Sequence, residues 1–165
     1  MKMSELFKRI LTTGVMLLII LSASAAPTRA DVKQAPDAEF KTLIDRYYAA
    51  WSAMDVEKAG EFYAKDADLI FFDIAPLQYK GWAEYKEGVK KAFFDGVTSA
   101  KLTPNNDLRV SRNGNMVWTV VTFHLSAKPK AGGSMELDAR HTAIWEKRNG
   151  KWVIVHEHIS APLPG

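Results

Sequence analysis

An α+β domain, three helices packed on one face of a curved, mostly antiparallel sheet, is the architecture this sequence predicts, and three observations predict it. Apolar residues in the first half recur at spacings of three and four, the pattern of helices with one buried face. From about residue 99 onward the pattern changes to runs of strand formers. Those runs are divided by Asn113-Gly114 and Asn149-Gly150, pairs that tolerate the positive φ of tight hairpins. Helices first and strands afterwards argue for α+β rather than for an alternating parallel fold.

The first helix begins after Pro36, with Phe40, Leu43, Ile44, Tyr47, Trp51 and Met54 forming its apolar stripe. Asp55 reads as a break and as the N-cap of a second, short helix that turns Val56, Ala59, Phe62 and Tyr63 inward. Residues 67–73 (ADLIFFD) predict a strand, and residues 74–81 (IAPLQYKG) a loop punctuated by Pro76 and Gly81. A third helix is expected from about Trp82 to Phe94, with Tyr85, Val89 and Phe93 on one side. Strands are expected over about 99–111, 115–127, 135–147 and 151–160, with residues 128–134 (KPKAGGS) as a looser hairpin tip.

The first thirty residues read as an export leader rather than as part of the domain. Lys2, Lys8 and Arg9 precede an apolar run from Ile10 to Leu21, and small residues follow, with cleavage expected after Ala25 or Ala30. The run is about a dozen residues, against the ~20 a membrane-spanning helix needs. This leader holds four Lys/Arg and one Glu, a net +3 that equals the net charge of the whole chain. The mature domain, residues 31–165, is therefore near neutral, and nothing in it points to nucleic acid or to an anionic membrane surface as a partner. It contains no cysteine, which excludes disulfides, thiol catalysis and thiolate metal sites, so packing alone must hold an exported domain together.

Several stretches carry a family resemblance. Residues 46–51 (RYYAAW), followed by Asp55, resemble the first helix of ketosteroid isomerase and SnoaL-like proteins. Residues 62–67 (FYAKDA) resemble their helix-to-strand junction. The tail, residues 149–162 (NGKWVIVHEHISAP), is similar to the closing strand of bacterial ketosteroid-isomerase homologues and of the calmodulin-dependent kinase II association domain. The resemblance covers nearly all of the mature chain and implies the cone-shaped fold of the nuclear transport factor two-like superfamily, with one internal pocket. That fold hosts enzymes, binders and assembly modules, so it does not by itself supply a function.

The resemblance also suggests where to look for chemistry. Tyr47 matches the position of an oxyanion-hole tyrosine, which would donate to a carbonyl or enolate oxygen. The family's general-base aspartate falls at Phe71, or at Asp73 if a two-residue bulge intervenes. Arg140 and Thr142 are implied to face the pocket, where a guanidinium would form a fork for a carboxylate or pair with Glu157 or Asp138. Glu157, on the face of Val153, Val155 and Ile159, would have a raised pKa unless Arg140 neutralises it. Trp51, Phe71, Tyr79 and Trp118 are expected to line the cavity. His156, His158 and Ser160 fall on the outer face, which the resemblance implies packs against a second subunit.

A metal is not expected. The i, i+2 histidines lack the HExxH spacing, although His124 and His141 are further candidates for ligands. No nucleotide or nucleophile-elbow motif is present, and no cofactor is expected. These observations leave three functions: a homodimer binding a small, partly apolar, carboxylate-bearing ligand; a cofactor-free isomerase or lyase with Asp73 or Glu157 as base; or an oligomerisation module with a vestigial pocket.

Overall fold

A computed structural model describes residues 37–163. The expected export leader lies outside the described residues. Among these, no helix is long and apolar enough to cross a membrane.

Helix α1 spans Ala38–Ser52, and the Asp37 side chain accepts from the Phe40 amide at its start. Its buried face (Phe40, Ile44, Tyr47, Tyr48, Ala50, Trp51) is wider than the expected stripe. Helix α2, Val56–Gly60, is capped as the sequence predicts: the Asp55 carboxylate accepts from the Glu57 and Lys58 amides. Strand β1 is short, Ile70–Phe72, and a two-residue strand β2, Tyr79–Lys80, pairs with it inside what reads as a loop. Helix α3 spans Gly81–Ala92, and a 3-10 turn at Phe94–Gly96 leads into the sheet.

The long strands follow: β3 Val97–Pro104, β4 Arg109–Asn113, β5 Met116–Pro129, β6 Met135–Arg148 and β7 Lys151–Ser160. The sheet order is β2-β1-β7-β6-β5-β3, with β4 also paired to β5. All neighbours are antiparallel except β1 and β7, which pair in parallel with Phe71 opposite Glu157. The expected single strand over 99–111 is thus two. Across residues 105–108 the ladder is replaced by bonds that converge on Thr122 of β5, beginning with the Asn105 backbone amide donating to its carbonyl. Asp107 accepts from the amide and hydroxyl of Thr122, and the Asn105 amide group donates to the same hydroxyl. At the β6–β7 turn, Asn149 (φ 50°) and Gly150 (φ 79°) adopt the left-handed conformations anticipated for that pair.

One face of the sheet is covered by the helices, and strand alternation decides which residues it buries. Val117, Thr119, Val121, Phe123, Leu125 and Ala127 of β5 point inward, as do Ala139, His141, Ala143 and Trp145 of β6. On β7 the alternation is interrupted. Ile144 pairs with His156 and Trp145 with Ile154, so Val155 is an extra residue and both Ile154 and Glu157 face the core. The expected face of Val153, Val155, Glu157 and Ile159 is therefore broken at the bulge.

Gly88 lets α3 approach β2: a Cβ there would sit 2.0 Å from Cε1 of Tyr79. Gly88→Ala should accordingly destabilise by about 1–3 kcal/mol through overpacking. That outweighs the ~1 kcal/mol that alanine gains in helix propensity. The urea unfolding midpoint gives the sign directly.

Candidate functional site

Between α1, α3 and the sheet lies a cavity of about 240 Å³. Its wall is mainly aromatic and aliphatic: Trp51 of α1, Val89 of α3, Phe123 and Leu125 of β5, Leu137 of β6 and Ile159 of β7. The polar residues in the wall are Tyr47 and Tyr48 of α1, Tyr85 of α3, and Asp73 just past the end of β1. No lysine or arginine is among these lining residues.

Behind the wall sits a buried polar network built on Glu157, which is 0 % exposed. Tyr47 donates to Oε1, Tyr63 donates to Oε2 at 2.5 Å, and the two phenol oxygens are 3.2 Å apart. His141 Nε2 approaches Oε1 to 2.8 Å, as an ion-pair contact rather than an in-line hydrogen bond. The other ring nitrogen, Nδ1, lies 3.0 Å from the Tyr48 hydroxyl. The imidazole also stacks on the ring of Tyr47, with centroids 5.1 Å apart.

The two carboxylates are driven in opposite directions. Burial pushes Glu157 up, but His141, followed by Tyr47 and Tyr63, outweighs it and holds the group below the usual carboxylate range. Asp73 has no such set of donors. Burial raises it to about 6, with the Ile74 amide opposing and the charge of Glu157 adding to the rise. Tyr47, Tyr63 and Tyr85 are all raised, by burial first and by nearby carboxylate charge second. They therefore stay protonated and serve as donors.

Of the site residues expected from sequence, Tyr47, Trp51 and Asp73 line the cavity. The donor of Tyr47 is committed to Glu157, which removes it as a free oxyanion ligand. Glu157 lies behind the wall with a lowered, not a raised, pKa, and its neutralising partner is His141 instead of Arg140. Arg140, Thr142 and Trp118 are on the opposite face of the sheet, because Ala139, His141 and Ala143 take the inward positions of β6 and Val117 and Thr119 those of β5. Phe71 and Tyr79 are buried but belong to the packing around Tyr85 rather than to the cavity wall. His156 bonds the Ile70 carbonyl, and His158 is exposed.

Tyr48, Tyr63, Tyr85 and His141 are the members that sequence reasoning missed as a site. A signal for His141 existed: Ala139, His141, Ala143 and Trp145 alternate with Asp138, Arg140 and Thr142. Among the described residues no cluster of three or more His, Cys, Asp or Glu could hold a metal ion.

Several solved structures share this fold. A nuclear transport factor 2-like superfamily protein from Salmonella enterica serovar Typhimurium is 20% identical, with a TM-score of 0.71 over 76% of this chain and 90% of its own. A candidate calcium/calmodulin-dependent protein kinase II association domain from Xanthomonas campestris is 22% identical, with a TM-score of 0.65 over 78% and 93%. A candidate dehydratase of the same superfamily from Streptomyces avermitilis is 14% identical, with a TM-score of 0.66 over 76% and 95%. At these identities the likeness establishes the fold alone. No match to a curated protein sequence is found. The SnoaL-like domain model matches residues 41–164, three-quarters of the sequence and nearly every residue described above, and the chain belongs to that family.

Proposed function

We propose that this domain holds a small, uncharged, mostly apolar molecule bearing an oxygen. One observation carries the reading: the cavity wall is aromatic and aliphatic, and its polar positions are phenols and one carboxyl group. A carboxylate ligand loses its support, since Arg140 is on the far face and Asp73 would repel it. Native mass spectrometry of the protein from its own host, without refolding, tests this. A co-purifying neutral molecule supports the reading, and a bound anion refutes it.

A second reading, proton transfer, is favoured by the position of Asp73 in that wall with a pKa of about 6. A base poised close to neutrality is suited to removing a proton beside a carbonyl. The likeness to a candidate dehydratase is consistent with it. The expected result is that the protein accelerates deuterium exchange at the carbon next to the carbonyl in at least one of a panel of small ketones. Asp73→Asn should lower that rate by roughly a hundredfold or more. An equal rate in the variant would remove Asp73 as the base.

Export and self-pairing complete the reading. Residues 1–30 supply the leader. The outer sheet face carries Trp118 and Val120 at 47% and 39% exposure, apolar surface suited to a second copy of the chain. A monomer by light scattering at micromolar concentration would count against pairing.

A further inference from the structure

We propose that Tyr48 is the hydrogen-bond donor that meets the ligand's oxygen, set in place by His141 and Glu157 behind it. This inference rests on the cavity being a ligand site, and it names the group that reads the ligand.

The cavity wall contains three phenols, and their surroundings differ. Tyr47 gives its hydrogen to Glu157. Tyr85 stands close enough to Asp73 and Glu157 for both charges to act on it, so its hydrogen is drawn to carboxylate oxygen. Tyr48 alone faces a nitrogen, His141 Nδ1 at 3.0 Å. Which of the two atoms donates depends on what the imidazole carries.

Glu157 fixes half of the answer. It accepts from Tyr47 and Tyr63 and is held below the usual carboxylate range, so it is ionised at neutral pH, and the nitrogen facing it, Nε2, carries hydrogen. A carboxylate buried this deeply is stable only beside a compensating charge. The described groups around it are Tyr47 and Tyr48 of α1, Tyr63, Asp73, Tyr85 of α3 and His141 of β6. His141 is the one basic side chain among them, and on this proposal it is the imidazolium. An imidazolium carries hydrogen on Nδ1 as well, and there it donates to the oxygen of Tyr48. The phenol then accepts from behind, and its own hydrogen is free for the cavity. The positive ring behind the oxygen makes that hydrogen a better donor, while burial and the Glu157 charge keep the phenol protonated.

The arrangement favours ligands with a carbonyl or other acceptor oxygen over hydrocarbons of the same shape. It also explains why a cation belongs behind the wall and not in it: His141 polarises a donor without offering an anion a direct partner.

The test uses the folded full domain with two probes, para-fluoroacetophenone and para-fluoroethylbenzene, which differ chiefly in one oxygen. The wild-type protein should bind the ketone roughly five- to tenfold more tightly, the effect of one hydrogen bond. The ketone's carbonyl stretch should move to lower frequency when bound. Tyr48→Phe should abolish both the preference and the shift. A preference that survives in the variant overturns the assignment to Tyr48. Binding of both probes without preference in the wild type overturns the donor and leaves the cavity reading intact, whereas binding of neither overturns both. Nitrogen NMR of His141 in the wild-type protein is an independent check: two protonated ring nitrogens support the proposal, and a bare Nδ1 overturns it.

Discussion

Glu157→Gln is expected to remove about 3–5 kcal/mol of stability, the loss typical when one partner of a buried charge pair is deleted. The total stability of a domain is about 5–15 kcal/mol, so the variant would be close to unfolding at moderate temperature. The reason is geometric. Tyr47 and Tyr63 donate to the two carboxylate oxygens and His141 Nε2 stands 2.8 Å from one of them, whereas a glutamine can accept on one atom only and carries no charge. Its amide nitrogen must donate where the carboxylate oxygen accepted, which forces a phenol to turn, and His141 loses the charge that faces it. Urea denaturation at pH 7 measures the effect. A midpoint unchanged from wild type would mean that the network does not hold the two layers together. The pH dependence has a definite sign. Glu157 is lowered in the folded state, so its contribution is complete above its unfolded value near 4.5 and is lost as pH falls through the folded value. The gap between wild type and variant should therefore narrow only under acid conditions below about pH 4.5.

Asp73→Asn should do the opposite and stabilise the protein at neutral pH. The carboxyl group is raised from 3.8 to about 6 by burial, so the folded state holds its proton more tightly than the unfolded state does. Stability from this group is present below the unfolded value and declines as pH rises through the folded one. Each pKa unit corresponds to about 1.4 kcal/mol, which puts the gain for an uncharged isostere at about 1–3 kcal/mol at pH 8, after allowance for partial solvation. Near pH 4 the two proteins should unfold at nearly the same urea concentration, and the difference should open across about pH 4–6. The asparagine side-chain oxygen could still accept from the Ile74 amide, as Asp73 Oδ1 does at 2.7 Å, so the local turn is preserved. Greater stability together with loss of proton exchange would identify Asp73 as a group retained for function at the expense of the fold. A variant less stable than wild type at pH 8 would show that the carboxylate is structurally required.

The two carboxylates illustrate what pattern reading could and could not reach. Both Asp73 and Glu157 are visible in the sequence as acidic residues on or beside a strand. Glu157 is lowered by three residues distant in sequence, His141, Tyr47 and Tyr63, whereas Asp73 is raised by burial and then by the charge of Glu157. Periodicity was enough to turn Tyr47, Tyr63 and Tyr85 inward. It could not say that Tyr47 and Tyr63 converge on Glu157, since that depends on how α1 and the segment after α2 cross the sheet. Arg140 shows a different failure: family resemblance placed it in the pocket, while the alternation of its own strand placed it outside. Here the local pattern was the better guide, because strand side chains cannot share a face with their immediate neighbours.

Sequence alone therefore determined the α+β class, the three helices, the Asp55 cap, the Asn149-Gly150 turn and the near neutrality of residues 31–165. Each of these depends on a residue and its close neighbours, through helix periodicity, capping or tolerance of positive φ. Tertiary structure decided the break at residues 105–108, the bulge at Val155 and the network behind the cavity. These features depend on contacts between segments up to 110 residues apart, such as Tyr47 with Glu157. A one-residue bulge reverses which side chains face the core, and no local pattern records where the partner strand will pair.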